Sequence, residues 1–488
     1  MITQQLQNIF KSSQLIMPEL ILIIGILGLV IIVSFDKTKS NSGLNFLYSL
    51  SLLFIYIYFA IHHYQLSLKS STFVQGFNNM LYIDMASLFF KQLICLSAFI
   101  GIIHARFFKF KFSGEYYILI FCIVLGLSFL TMTTHFLVIF VSLEMVSIAS
   151  YALVTLQKEK INFEAGIKYL IFGATSSTIM LFGVSLFYGI THSLNFADLE
   201  FLKSLNSNSS TIIQIISFLF LGGILFKAAA APFQSWVPDV YESTPGPIIS
   251  FLSFAPKAVA FLLIARFIHF SSVSLEMVII VVAILSLVIG NLSALWQDNT
   301  KRMLGYSGIA QSGFILIGLL KNEANDFYGS FFYILAYLPI TMGSFFLADL
   351  LFKQTNSPNM SDYKGLGQKN VFLGINAVIL MMALIGLPPT LGFLSKLVIF
   401  SSITSIHNLN SNSIYIALII FGLLNAAVSI YYYLKIPYYI LVKGSYKIKD
   451  VSIDFFLTMV LSYFSITIVF LFFFPEKLSE AINLILFK

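Results

Sequence analysis

A chain of 488 residues, 58% hydrophobic and only 10% charged with a mean hydropathy of +0.91, cannot be an ordinary soluble domain, in which about a quarter of residues carry charge. The net charge of +7 comes from cations scattered over short connectors; without a continuous basic face this excludes a nucleic-acid partner. Two cysteines, Cys95 and Cys122, lie inside apolar runs without histidine neighbours. They read as small buried hydrophobes rather than a zinc or iron–sulfur framework, so no metal or cofactor site is expected in this chain.

Apolar runs of about 18 to 30 residues follow one another along the whole chain, each long enough to cross roughly 30 Å of hydrocarbon as a helix. Lipid offers a backbone amide no partner, so runs of this length form helices that satisfy their own hydrogen bonds. About fourteen spans are predicted: 15–35, 44–63, 80–104, 115–131, 134–156, 164–190, 211–231 continuing to about 242, 246–270, 275–296, 303–320, 328–352, 371–403 with a break, 412–440 and 452–474. The first run is too long for a signal-peptide core and is read as a retained span. The fold class is therefore all-α, a polytopic membrane protein.

Assigning connectors alternately to the two sides places fifteen cations on one side, among them Lys109, Lys111, Lys158, Lys301 and Arg302. The other side, with both termini, holds seven: Lys11, Lys69, Lys203, Arg266, Lys321, Lys477 and Lys488. The positive-inside rule makes the first side cytoplasmic or matrix, and leaves both termini outside.

Two spans share an unusual feature. "LFLGGILFKAAAAPFQSWVPD" at 219–239 and "LMMALIGLPPTLGFLSKLVIFSSI" at 380–403 each hold a lysine within an apolar run broken by prolines. Broken helices at corresponding positions of two halves point to a transporter-like fold of inverted repeats. The breaks fall in the seventh and twelfth spans, five apart; five is odd, so the second copy enters the membrane from the opposite side. The expected organisation is three N-terminal spans (1–114), a first five-helix repeat of spans 4–8 (115–270), an inverted second repeat of spans 9–13 (275–441), and span 14 with a tail (452–488).

Charges inside spans are expensive, and each is a functional hypothesis. The intramembrane lysines are Lys91, Lys168, Lys227, Lys257, Lys396 and Lys435; the acids are Asp84, Glu144 and Asp349, with His135 near a helix start. Glu144 lies about ten residues into its span, too deep to snorkel, and Lys227 is comparably deep. A Glu144–Lys227 pair would offset part of the desolvation cost of each, either as a static bridge or as a proton-loading pair, since the charge state of a buried lysine responds to its neighbours. Lys257 follows Pro256, and Lys396 follows Pro388, Pro389 and Gly392; unwound backbone at membrane depth is tolerated only beside protein or water, so both read as lining a hydrated path, with snorkelling as the alternative. Asp84 and Lys91, seven apart, Asp349, and Lys168 close to the surface read as structural or snorkelling, and His135 as a helix-start residue. Lys435 stays open between the two readings.

Six stretches together resemble one known family: "VSLEMVSIASY" around Glu144, "EAGIKYLIFGATSSTIMLFG", "FKAAAAPFQSWVPDVYESTPGP" around Lys227, "FLSFAPKAVAF" around Lys257, "DNTKRMLGYSGIAQSGFILIG", and "LPPTLGFLSK" ending at Lys396. They are similar to the antiporter-like membrane subunits of respiratory complex I, shared with multisubunit cation/proton antiporters, and most to the branch called chain N in bacteria and subunit 2 in mitochondria. The resemblance implies fourteen helices with inverted repeats 4–8 and 9–13, and roles in proton translocation for Glu144, Lys227, Lys257 and Lys396. It further implies that NADH, FMN, iron–sulfur clusters and quinone belong to other subunits, and that the partners are the neighbouring membrane subunits, lipid and, through the complex, the quinone pool. The sequence departs from the family at "STPGPI", where Gly246 stands in place of a threonine.

Two other readings are a subunit of a sodium/proton antiporter without a redox partner, and a purely structural membrane subunit. Four separated deep charges, two beside helix breaks, exceed what packing requires. A bacterial cytoplasmic membrane is the favoured location and the mitochondrial inner membrane the alternative.

Overall fold

The computed structural model describes residues 12–35, 42–67, 73–206, 209–271, 273–320, 327–442 and 454–486. The connector cations Lys11, Lys37, Lys39, Lys69, Lys321, Lys443, Lys447, Lys449 and Lys488 lie outside the described residues. The expected all-α membrane architecture is found. In chain order, the helices are α1 (Met17–Phe35), α2 (Ser42–Ser67), α3 (Met85–Phe107), α4 (Gly114–Thr131), α5 (Phe136–Val154), α6 (Lys160–Thr191), α7 (Leu199–Asn206), α8 (Ser210–Lys227), α9 (Val237–Ser243) and α10 (Gly246–Ser271). They continue as α11 (Glu276–Leu295), α12 (Thr300–Ile317), α13 (Tyr328–Thr355), α14 (Leu366–Lys369), α15 (Val371–Ile385), α16 (Leu391–Asn410), α17 (Ser413–Leu441), α18 (Phe455–Phe473) and α19 (Glu476–Ile485). A short hairpin, β1 (Phe73–Gly76) with β2 (Leu81–Asp84), pairs antiparallel ahead of α3.

Among the described residues eleven helices are long and apolar enough to cross a membrane. Two shorter apolar helices, within α2 and at α15, and helix α12 lie where the other predicted spans fall, and α8/α9 lies where the broken seventh is predicted. The helix order repeats: α4, α5, α6, broken α8/α9 and α10 are followed by α11, α12, α13, broken α15/α16 and α17. The third span begins later than predicted. Residues 81–84 form β2, and Asp84 is the N-cap of α3, accepting from the Ser87 amide at 2.8 Å while the Asp84 amide donates to Ser87 Oγ. This reciprocal capping box satisfies helix-start amides and sets the boundary.

The chain divides into two units. The first is built from Met1–Lys227 and Ala255–Leu275. One part of its core is aromatic: Phe136 stacks on Phe187 with centroids 5.5 Å apart and meets Phe220 edge-on at 4.9 Å, and Phe220 packs on Phe267. Another part is polar and fully enclosed. Lys91 on α3 is ion-paired with Glu19 on α1 at 2.7 Å, and Tyr56 on α2 donates to Glu19 at 3.0 Å. Neither Lys91 nor Glu19 is more than 1% exposed, so pairing and hydrogen bonding must offset the desolvation of both.

The second unit is built from Ala228–Phe254 and Glu276–Leu486. Its α11 and α12 lie backbone against backbone. A Cβ at Gly290 would stand 2.8 Å from the Tyr306 carbonyl oxygen, and one at Gly313 would stand 2.9 Å from that of Ala283. Small residues permit such approach between apolar helices, where packing rather than water exclusion drives association.

Candidate functional site

Both broken spans leave backbone groups that no helix satisfies, and side chains from neighbouring helices take them. Helix α8 ends at Lys227. Across the following break Ser312 of α12 donates to the Ala228 carbonyl at 2.7 Å, and the Ala231 amide donates to Ser286 Oγ of α11 at 2.9 Å. At the other break Gly386 closes α15 with φ of 86°, a left-handed conformation open to glycine. The amides of Gly386 and Leu387 both turn back to the Met382 carbonyl. The carbonyls of Leu384 and Ile385 receive Lys396 Nζ from α16 at 3.3 and 2.6 Å, and Gln311 Nε2 also reaches Leu384 at 3.1 Å.

In the first unit, Lys227 is 4% exposed and donates to the Tyr169 hydroxyl at 3.3 Å. Its ammonium lies over the rings of Tyr169, Phe226 and Tyr151, at 5.1, 5.4 and 5.5 Å. Ring faces stabilise a cation without a formal counter-charge. Tyr151 can lie there because α6 carries Gly173, whose missing side chain leaves room for the tyrosine hydroxyl. Glu144, half-buried on α5, accepts a hydrogen bond from Ser177 of α6. It borders a cleft of about 440 Å³ that Tyr151 also lines. The direct Glu144–Lys227 ion pair expected from the sequence is not formed among the described residues; each charge has a hydroxyl partner, and Tyr151 borders both. Lys257 is 2% exposed within α10, directly after Pro256.

In the second unit, Lys396 is 5% exposed and lies 4.5 Å from the Phe314 ring centroid. Its partner carbonyl at Leu384 joins it to a buried network. Gln311 donates to Tyr433 at 3.1 Å, Tyr433 and Ser307 share a hydrogen bond at 2.5 Å, and Tyr333 donates to the Gln311 carbonyl.

The remaining intramembrane charges are partnered. Asp84 is paired with Arg266, and Lys91 with Glu19, as structural ion pairs. Arg266, placed among the connector cations by the sequence, is fully buried within α10; its guanidinium also reaches Ser87 Oγ at 3.0 Å, and this bond to the α3 start holds it inside. Lys168 pairs with Glu164 one turn away at 2.9 Å, both partly exposed. Asp349 pairs with Lys301 at 2.8 Å, Lys435 donates to the Leu295 carbonyl at 2.9 Å, and His135 is the N-cap residue of α5. Sequence reasoning missed Tyr169 and Ser177 as partners of Lys227 and Glu144, and Gln311 as the donor that shares the Leu384 carbonyl with Lys396; only Gln311, beside Ser312 in "GIAQSGF", carried a signal.

The family model described as "NADH:quinone oxidoreductase/Mrp antiporter, TM" matches residues 133–423, which include Glu144, Lys227, Lys257 and Lys396. The chain is 38% identical over 383 residues to NADH-quinone oxidoreductase subunit N 2 of Chloroherpeton thalassium, covering 74% of this chain and 73% of that one. It is 34% identical over 449 residues to subunit N of Trichlorobacter lovleyi, covering 89% of each. A chain of respiratory complex I from Thermus thermophilus superposes with a TM-score of 0.77 at 27% identity, over 96% of this chain and 99% of that chain. The family match, the similarity along most of the length and two breaks at corresponding places lead to one assignment: the chain belongs to the antiporter-like membrane subunits of NADH:quinone oxidoreductase, in the subunit N/subunit 2 branch.

Proposed function

We propose that this chain is a proton-translocating subunit of a membrane-bound NADH:quinone oxidoreductase, assembled with other membrane subunits. NADH oxidation and quinone reduction, with FMN and the iron–sulfur clusters, take place elsewhere in the complex, and the released energy moves protons through this chain. The observation that carries the reading is the placement of Lys227 and Lys396 at the two helix breaks, each lysine buried and held by neutral oxygen atoms. A lysine so placed has no fixed counter-charge locking it in the charged form, so its protonation state is open to control by neighbouring charges.

Glu144 sets the charge state of Lys227, protons pass along water and side chains through Lys257, and Lys396 delivers them to the outside half-channel. Repulsion between like charges gives each step its direction. Gln311 shares the Leu384 carbonyl with Lys396 and leads through Tyr433 to Ser307, a run of hydrogen-bonding groups that supports a proton route beside the lysine. Residues 115–270 and 275–441 act as the two inverted half-channel repeats, flanked by residues 1–114 and 452–488. Both termini lie outside, in a bacterial cytoplasmic membrane. The test is a Lys396→Ala complex assembled to the wild-type level: the proton-to-electron ratio is expected to fall, and an unchanged ratio defeats the last step.

A further inference from the structure

The ends of α3 and α5 and the starts of α4 and α6 border a cavity of about 1120 Å³ whose lining includes none of Glu144, Lys227, Lys257 and Lys396. Four cations line it: Arg106, Lys109, Lys111 and Lys158. Only two carboxylates, Glu115 and Glu159, stand against them, and Glu115 is held by the Ser113 hydroxyl at 2.9 Å. None of the four cations forms an ion pair among the described residues. All four are exposed. Lys109 and Lys158 adopt left-handed backbone, with φ of 56° and 57°, a conformation where glycine or asparagine is less strained.

Directly adjoining it is a second cavity of about 380 Å³, which shares Glu115, Leu156 and Lys158 with the first and is otherwise lined largely by apolar groups such as Ile118, Leu119 and Phe163. One end of this groove suits an anion and the other a hydrocarbon chain. Since the cations stand at the ends of membrane-spanning helices, the whole lies where the headgroup layer meets the acyl layer.

We propose that this groove binds an anionic phospholipid, its phosphate among Lys109, Lys111, Lys158 and Arg106 and one acyl chain along Ile118, Leu119 and Phe163. Charge decides between lipid classes: a zwitterionic headgroup brings a cationic group of its own into a cavity that already has an excess of cations. The apolar cleft decides between a lipid and a free anion, because a soluble phosphate has no use for it. The inference depends on the membrane setting of the chain and not on the proton route.

Its test uses the intact detergent-solubilised assembly with a phosphatidylglycerol carrying a photoactivatable diazirine in its acyl chain, and a phosphatidylcholine with the same chain. Labelling of peptides holding Ile118, Leu119 and Phe163 is expected to favour phosphatidylglycerol, and to survive an excess of inorganic phosphate. In K111Q/K158Q protein the apparent affinity is expected to fall by about fivefold for each charge removed. Equal labelling by both lipids, no labelling of these peptides, or an unchanged preference in the variant would overturn the proposal. Release of phosphatidylglycerol by inorganic phosphate alone would also overturn it, by making the cavity a free-anion site. The comparison of the two lipids on wild-type protein decides the matter even if the variant fails to assemble.

Discussion

Lys396 Nζ lies 2.6 Å from the carbonyl oxygen of Ile385, the last residue of α15. The lysine of the second half of the broken span thus caps the first half, whose terminal carbonyls carry the negative end of the helix dipole. One side chain closes the helix break and offers a proton-carrying group at the same place. The two roles separate by substitution.

Lys396→Met removes the donor and leaves the Ile385 carbonyl unsatisfied, at a cost of about 1–3 kcal/mol. Lys396→Arg keeps donors near the carbonyls but does not release a proton at any working pH. Thermal stability of the assembled complex is expected to drop in the Met variant and to hold better in the Arg variant, while proton translocation fails in both. Proton movement that persists in the Arg variant would show that Lys396 acts only as a cap.

Tyr169→Phe deletes the hydroxyl that receives Lys227 and leaves the ring in place. Assembly is expected to stay at the wild-type level. A hydrogen bond to a charged group contributes about 1.5–3 kcal/mol, so coupled turnover is expected to fall roughly tenfold or more, as read from quinone reduction and proton uptake in the same vesicles.

The enclosed Lys91–Glu19 pair should behave as a structural element. Removing one partner, as in Lys91→Met or Glu19→Gln, strands a charge and is expected to cost about 3–5 kcal/mol. The double variant Lys91→Met/Glu19→Gln recovers part of that loss because no charge remains unpaired. Yields of assembled complex from the three variants make the comparison.

Gly246, where the sequence departs from its family, has a physical account in the second unit. A Cβ at this position would overlap the carboxylate of Asp349, which is ion-paired with Lys301. Gly246→Thr is expected to displace that carboxylate and lower stability by about 1–3 kcal/mol, whereas combining it with Asp349→Ala recovers part of the loss. Thermal unfolding of the assembled protein reads both.

Helix count, the two breaks and the deep lysines were legible because each rests on a local property: run length, proline spacing, or a charge inside an apolar run. Partnerships were not. Asp84 finds Arg266 182 residues away and Lys91 finds Glu19 72 residues away, and both depend on which face each helix turns to its neighbours. The nearly uniform apolarity of these helices conceals that face. The same blindness explains Glu144: the sequence pairs the two deepest opposite charges, whereas the fold places Ser177 against Glu144 and Tyr169 against Lys227. Arg266 was assigned to a connector because it lies near the end of its run, and only its bond to the start of α3 shows why it stays inside.

The most direct test of the central claim is NADH-driven quinone reduction measured together with proton uptake, in vesicles carrying wild-type or Lys227→Ala protein at equal assembly. Loss of both activities is the predicted result, since a buried group that must titrate cannot be replaced by a methyl. Both activities persisting unchanged would contradict it, leaving Lys227 as a packing residue and opening the way to a test of cation/proton exchange without a redox partner.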